Sequence, residues 1–227
     1  MKPFIRFTVS CLLLSFVFQG VDAQDSLQIN SSSKSNFSII LATDYGKLVT
    51  TAAKLDSRYE FNLGIQFTKH IRFTADYGYA QLSPSNAIEN GIYISTGNYY
   101  RAGLDYLINI SPKTHLSLGS MYASSAFIDE GAVEIKSEIW PSLNERFERD
   151  GFSANWVEFV LTSESSIFNK ETGFISNLYW GIKVRLRIMI EKPTPEQLDI
   201  YAIPGFGRTF NNLVPALNLF AAYKINR

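Results

Sequence analysis

The stretch RYEFNLGIQFT, residues 58–68, alternates apolar and polar residues without a break. In an extended chain one face would carry Tyr59, Phe61, Leu63, Ile65 and Phe67. A period of two residues is that of a β-strand, because successive side chains point to opposite faces. The stretch therefore predicts a strand with one apolar face and one polar face.

The same period recurs along the rest of the chain. It indicates eight strands, in residues 37–45, 58–68, 71–79, 100–108, 115–127, 156–161, 177–188 and 212–225. Most of these segments have about ten residues, which suits a tilted transmembrane strand better than the five or six residues usual in a soluble sheet. We therefore predict an all-β fold, a closed antiparallel up-and-down transmembrane β-barrel of eight strands that spans residues 37–227.

The predicted connections between strands alternate in length. Three are short, at residues 68–70, 109–113 and 166–170, and four are longer, at 46–57, 81–97, 128–151 and 191–207. If the N-terminus lies in the periplasm, every short turn is periplasmic and every longer loop is extracellular. That asymmetry is typical of outer-membrane barrels.

The N-terminus has the features of a secretory signal. Lys2 and Arg6 precede an apolar run, and small or aliphatic residues stand near Ala23. We predict a signal peptide at residues 1–23, cleavage between Ala23 and Gln24, and a flexible polar segment at 24–36. The apolar run is too short for a membrane-spanning helix, which disfavours the alternative of an N-terminal anchor.

Composition limits the chemistry of the exported chain. Cys11 is the one cysteine and lies inside the predicted signal peptide, so we expect no disulfide, thiolate metal site or cysteine nucleophile after cleavage. The 21 basic residues are matched by 21 acidic residues, which leaves no positive excess to follow a phosphate backbone. We expect no nucleic-acid partner and no cofactor.

The polar face of the strands carries charged residues of both signs. We predict that they form a paired network in the barrel interior, made of Asp44, Arg58, Glu60, Arg72, Asp76, Arg101, Asp105, Glu158, Lys183, Arg185 and Arg187. An eight-stranded barrel is just wide enough to be filled by side chains, so such a network would plug it. The alternative is a narrow path for ions or solutes.

Few residues suggest catalysis. His70 and His115 lie at or beside predicted periplasmic turns, where we expect contact with water, although His115 and Ser117 share a face and would allow a weak hydrolase hypothesis.

Residues 128–151 are rich in charge and include Trp140 and Pro141; we interpret them as a solvated loop, or alternatively as a contact site for a partner or lipopolysaccharide. Residues 191–202 predict a stiff surface loop, and 203–208 a rigid entry into the last strand.

Three stretches together carry a resemblance to a known family. They are YYRAGLDY at residues 99–106, NWVEFVL at 155–161 and YAIPGFG at 201–207. The chain resembles an uncharacterised family of outer-membrane β-barrel proteins from Bacteroidota that share a domain of unknown function. The resemblance extends from about residue 37 to the end and implies location and fold, without an activity. The C-terminus departs from many outer-membrane barrels, because it ends in Ile225-Asn226-Arg227 instead of an aromatic residue.

The sequence thus predicts a non-enzymatic outer-membrane barrel with a structural or interaction role in the cell envelope. Its expected partners are outer-membrane lipid, lipopolysaccharide and an envelope protein. Two alternatives stay open: an outer-membrane enzyme acting on lipid or peptide, and a soluble exported barrel with a lipocalin-like cavity.

Overall fold

A computed structural model describes residues 37–52, 56–84, 87–88, 90–111, 113–135, 143–168, 174–195 and 198–226. The predicted signal peptide at 1–23, its cleavage site at Ala23 and Gln24, and the segment 24–36 lie outside these ranges. Within them, no α-helix combines the length and the apolar character needed to cross a bilayer.

Most of the described residues lie in strands. The strands are β1 (Ser38–Asp44), β2 (Ser57–Gln66), β3 (Ile71–Leu82), β4 (Gly91–Ser111), β5 (Thr114–Ile135), β6 (Leu143–Ser166), β7 (Leu178–Glu191), β8 (Ala202–Ile203), β9 (Gly207–Arg208) and β10 (Leu213–Asn226). A helix, α1 (Tyr45–Ala52), follows β1, and a 3-10 turn (Phe174–Asn177) precedes β7.

Eight of these strands close into a ring. Each of β1 to β6 pairs antiparallel with the next strand along the chain, and β10 pairs with both β7 and β1. Tyr223 of β10 lies opposite Leu41 of β1, which closes the ring. The predicted all-β, antiparallel, up-and-down arrangement of eight strands is confirmed. The short strands β8 and β9 form a separate hairpin.

The two faces of the ring differ sharply in chemistry. Buried charged side chains point inward, together with small polar side chains and apolar ones such as Tyr99, Trp156 and Phe220. The outer surface exposes large apolar side chains from all eight ring strands, among them Leu41, Phe61, Tyr77, Tyr100, Leu104, Tyr106, Leu118, Tyr122, Phe159, Leu161, Trp180, Val184 and Leu217. In a soluble β-barrel the apolar face would point inward, so this ring has the opposite polarity.

Three strands continue beyond the ring, and this corrects two predicted loops. Residues 81–97 and 128–151 were expected to be loops, but β4 begins at Gly91, β5 continues to Ile135 and β6 begins at Leu143. We call residues 91–94 of β4, 129–135 of β5 and 143–150 of β6 the extension. The end of the ring that carries it is called the upper end. A bulge lies where Phe127 pairs with Phe152 but Asp129 pairs with Arg149. The extra residue in β6 reverses its inward and outward alternation, so a simple period of two fails there.

Three other predicted connections also differ. The connection expected at 46–57 contains helix α1, and the short one expected at 166–170 is longer, because β6 ends at Ser166 and β7 begins only at Leu178. Since the lower connection from Ser166 to Leu178 is longer than the upper one from Leu82 to Gly91, connection lengths do not sort cleanly between the two ends. The stiff surface loop predicted at 191–202 is wrong in its second part, because Ile200 and Ala202 are fully buried. Trp140 and Pro141 lie outside the described residues.

Candidate functional site

The centre of the ring holds two fully buried arginines among three carboxylates. Arg101 donates from Nε to Glu158 at 2.8 Å and from a terminal nitrogen to Glu60 at 2.7 Å. Arg185 donates to the other oxygen of Glu158 and to Asp76, both at 2.7 Å. Alternation along β2, β3, β4, β6 and β7 delivers these groups to one level of the interior. Charged hydrogen bonds of this length are the strong kind.

Glu158 contacts four side chains. Besides Arg101 and Arg185, it accepts a hydrogen bond from the Trp156 indole at 2.7 Å and lies 3.5 Å from Arg187 Nε. Trp156 and Glu158 are two residues apart on β6, so both side chains point inward. These four contacts fix the position of the carboxylate.

A second group of ion pairs lies towards the lower end of the ring. Arg72 contacts Asp105 at 3.2 Å and both oxygens of Glu164 at 3.0 to 3.1 Å. It also donates to the Ser117 hydroxyl, while Thr74 donates to Asp105 at 2.7 Å. Each charge in this group therefore has an opposite charge in contact.

Helix α1, at the upper end of the ring, contributes one more cation to the interior, the Lys47 ammonium. Asp44 caps the helix by accepting a hydrogen bond from the Lys47 backbone nitrogen at 3.1 Å. The capped turn directs the Lys47 ammonium into the ring, where it contacts Glu60 and the Tyr99 hydroxyl. Burial lowers the pKa of Lys47 to about 8, against the opposing effect of Glu60. The ammonium is still mainly protonated at neutral pH and can neutralise Glu60.

The connection between β7 and β10 enters the upper mouth of the ring. We call residues 198–209 the inserted loop; its Ile200, Ile203 and Phe206 are buried, and Phe206 packs on Trp156 with ring centroids 5.7 Å apart. Two of its carbonyl oxygens accept hydrogen bonds from interior arginines: Gly205 from Arg101 at 3.0 Å and Phe206 from Arg187 at 2.7 Å. The charged interior is therefore closed from above by backbone as well as by side chains.

The tip of the inserted loop depends on a glycine. Pro204 and Gly205 stand at the two central positions of a turn closed by the Phe206 amide and the Ile203 carbonyl, and Gly205 has φ +83°. This is the type II pattern, which favours glycine at the second central position. A Cβ at Gly205 would also lie 2.5 Å from Tyr99 Cγ.

We expect Gly205→Ala to lower the free energy of unfolding by about 2–4 kcal/mol, from backbone strain and overpacking together. Trypsin should then cut sooner after Lys192 or Arg208. Gly151→Ala is the matched control, because Gly151 has φ +71° but a Cβ added there would meet no atom within 4 Å. The free energy of unfolding of this control variant should fall by only about 1–2 kcal/mol. Equal losses in the two variants would contradict the packed position of the loop tip.

The structure places the predicted interior residues as follows. Ten are buried on the inside of the ring: Asp44, Glu60, Arg72, Asp76, Arg101, Asp105, Glu158, Lys183, Arg185 and Arg187. Lys183 lies with its ammonium 4.9 Å from the centre of the Phe220 ring. Arg58 differs, because its side chain is 39% exposed and pairs with Asp56 at the upper rim. It does not join the central ion pairs.

Sequence reasoning missed two charged members of the interior. Glu164 continues the inward alternation of β6 beyond Glu158, so a longer sixth strand would have included it. No sequence pattern indicated Lys47, because it lies in a connection between strands and its side chain reaches the interior only through the position of helix α1. With these two, the interior charge cluster is defined as Asp44, Lys47, Glu60, Arg72, Asp76, Arg101, Asp105, Glu158, Glu164, Lys183, Arg185 and Arg187, six acids and six bases.

The two histidines are held near the lower end. His70 is exposed, stacks on Tyr106 and lies 3.1 Å from the Leu107 carbonyl oxygen. The His115 ring contacts the Asn109 side chain at 2.8 Å, whereas the Ser117 hydroxyl faces Arg72. In the described part of the chain no hydrogen bond joins His115 to Ser117, so the geometry gives the hydrolase hypothesis no support.

A cavity of about 30 Å³ lies between α1 and the inserted loop, lined by Lys47, Arg58, Tyr99, Arg187 and Gly205, among others. That is room for about one or two waters. Over the ranges that the structure describes, no group of three His, Cys, Asp or Glu side chains is arranged to hold a metal ion.

Comparison with known proteins gives a family and no activity. No curated protein matches the chain. Residues 4–225 match the family described as "Domain of unknown function (DUF6048)". The match covers nearly the whole chain, and it confirms the expectation of a family with a domain of unknown function. The chain therefore belongs to the DUF6048 family.

Proposed function

We propose that the chain is a non-enzymatic β-barrel of the outer membrane of a Gram-negative bacterium, with the Bacteroidota origin that the sequence resemblance implies. The observation that carries the proposal is the exposed apolar outer surface of the ring. Leu217, Ile110 and Leu104 are 67%, 65% and 57% exposed. Soluble monomers rarely expose continuous apolar patches of more than a few hundred Å², and this surface involves all eight ring strands.

The exposed apolar surface has the height expected of a membrane band. On β7 the outward residues from Trp180 to Ile190 are all aliphatic or aromatic. Their ten residue steps, at about 3.3 Å each and a tilt of about 40°, span about 25 Å, which is the usual height of the lipid-facing band.

Exposed charges lie away from this band. In the described ranges they occur in connections, in the extension or at the upper end of β7, at Lys69, Lys113, Glu130, Glu145, Arg146, Glu148, Asp150, Glu191, Asp199 and Arg208. A charge facing the middle of a bilayer is costly, so this distribution favours lipid around the ring. Tyr77 and Tyr100, which pack 5.2 Å apart on the outer surface, suit an interfacial aromatic girdle.

The filled interior favours a structural or interaction role. A transport path would need the central ion pairs to separate, and a lipocalin-like site would need an apolar cavity in the space that the charge cluster and inserted loop fill. The upper end carries the extension and the inserted loop, and we assign it to the extracellular side. Contacts with lipopolysaccharide or an envelope protein would then involve the outer surface of the ring and the extension.

Membrane fractionation of the native host tests the location. We expect the protein in the Sarkosyl-insoluble outer-membrane fraction, with its N-terminus at Gln24 and with faster gel migration when unheated than after boiling. A soluble periplasmic marker and an inner-membrane marker control the separation. Recovery with the periplasmic marker, and a single gel position with and without heating, would overturn the proposal in favour of a soluble exported barrel.

A further inference from the structure

The upper part of β6 is an open edge of the extension. It pairs with β5 on one side, where Glu145 lies opposite Val133 and Arg149 opposite Asp129. On the other side, pairing with β7 begins only at Asn155, so within the described ranges residues 145–150 have no neighbouring strand there. Open edges present unpaired backbone N–H and C=O groups and readily accept another strand.

The charges along this edge are self-complementary. The order is Glu145, Arg146, Phe147, Glu148 and Arg149. If a second copy of the same segment runs antiparallel with Phe147 opposite Phe147, then Arg146 lies opposite the partner's Glu148 and Glu145 lies opposite the partner's Arg149. A two-fold axis repeats both pairs, so one register gives four opposite-charge contacts.

A second observation also favours a cation beside this edge. Glu148 pairs directly across from Glu130 of β5, and both side chains are exposed on the same face. Like charges at directly opposed positions destabilise a sheet. In the two-fold register, Arg146 of the partner subunit would lie next to Glu148 and reduce this repulsion.

We propose that the chain self-associates through the Glu145–Arg149 edge of β6, forming a continuous antiparallel sheet across two extensions. Arg149 can keep its contact with Asp129 and gain Glu145 of the partner subunit on its other side. Gly151, with φ +71°, lies at the bulge next to this edge, and a bulge bends the strand that carries it. The proposal concerns the extension and does not depend on what surrounds the ring.

Charge reversal tests the register. Wild type, Glu148→Arg, Arg146→Glu and the double variant would be purified in a mild detergent, and their masses measured by size-exclusion chromatography with light scattering over a dilution series. Each single reversal places like charges opposite each other twice per dimer, so we expect about tenfold or greater weakening of the dimer. The double variant restores opposite charges and should dimerise like wild type.

Matched controls separate this effect from misfolding. Asp150→Arg reverses a charge on the same segment, but its partner in the proposed register is the neutral Asn144, so its dimer should keep the wild-type affinity. Glu148→Arg places an arginine opposite Glu130 and should not lower the stability of the monomer. A monomeric wild type, a dimer insensitive to both single reversals, or a wild-type assembly made with a different protein at this edge would each overturn the proposal.

Discussion

Leu104→Arg is expected to destabilise the folded chain by about 2–4 kcal/mol in a phospholipid bilayer. Leu104 lies on the outer surface of β4, midway along the outward residues between Tyr100 and Ile108, and is 57% exposed. On a soluble protein an arginine at such a position would change stability by about 0.5 kcal/mol or less. The size of the effect therefore reports the medium around the ring. Urea unfolding of the protein reconstituted in vesicles measures it.

Ile92→Arg provides the control on the same strand. Ile92 shares the outward face of β4 with Leu104 and is 63% exposed, but it lies in the extension, above the apolar band. We expect a change of about 0.5 kcal/mol or less there, as at other surface positions. Equal and small effects at both positions would contradict the membrane assignment, since both side chains would then face water.

The strands could be predicted from sequence because their alternation is a local property. In residues 58–68 or 177–188 each inward residue is followed by an outward one, and the buried positions of Glu60, Arg185 and Arg187 follow from that parity. The structure adds partners that are distant in sequence. Arg72 and Glu164 are 92 residues apart, and Arg185 and Asp76 are 109 apart. The alternation along each strand places these groups inside the ring, but only the register of all eight strands decides which of them are in contact.

The inserted loop could not be predicted for a different reason. Residues 198–209 contain proline and glycine and interrupt the alternation, which is the usual pattern of a surface loop. Ile200, Ile203 and Phe206 are buried because the mouth of the ring offers them Trp156 and Tyr99 as an apolar surface. A local pattern does not contain that surface, since its parts come from β4 and β6. In the extension, the upper part of β6 escaped prediction because one extra residue near Gly151 reverses its alternation.

Removal of the Glu158 side chain is expected to lower the free energy of unfolding by about 3–5 kcal/mol, which is the usual effect of removing one partner of a buried ion pair. Glu158→Ala leaves Arg101, Arg185 and Arg187 without their shared carboxylate and the Trp156 indole without its acceptor. Urea unfolding in vesicles measures the loss. Glu191→Ala, at the exposed upper end of β7, is the control and should change stability by about 0.5 kcal/mol or less. A similarly small loss at Glu158 would contradict the central position of this carboxylate.

A double-mutant cycle with Arg187 shows whether the loss comes from uncompensated charge. Arg101 and Arg185 keep contacts with Glu60 and Asp76 when Glu158 is removed, whereas Glu158 is the one carboxylate with which the described structure pairs Arg187. Glu158→Ala therefore leaves the cluster with one excess positive charge, and that charge is concentrated on Arg187. Arg187→Met in the same chain restores the balance of acids and bases, so the double variant should be more stable than the sum of the two single losses by about 1–3 kcal/mol. Additive losses would mean that Glu158 stabilises the ring through packing and the Trp156 hydrogen bond, and not through its charge.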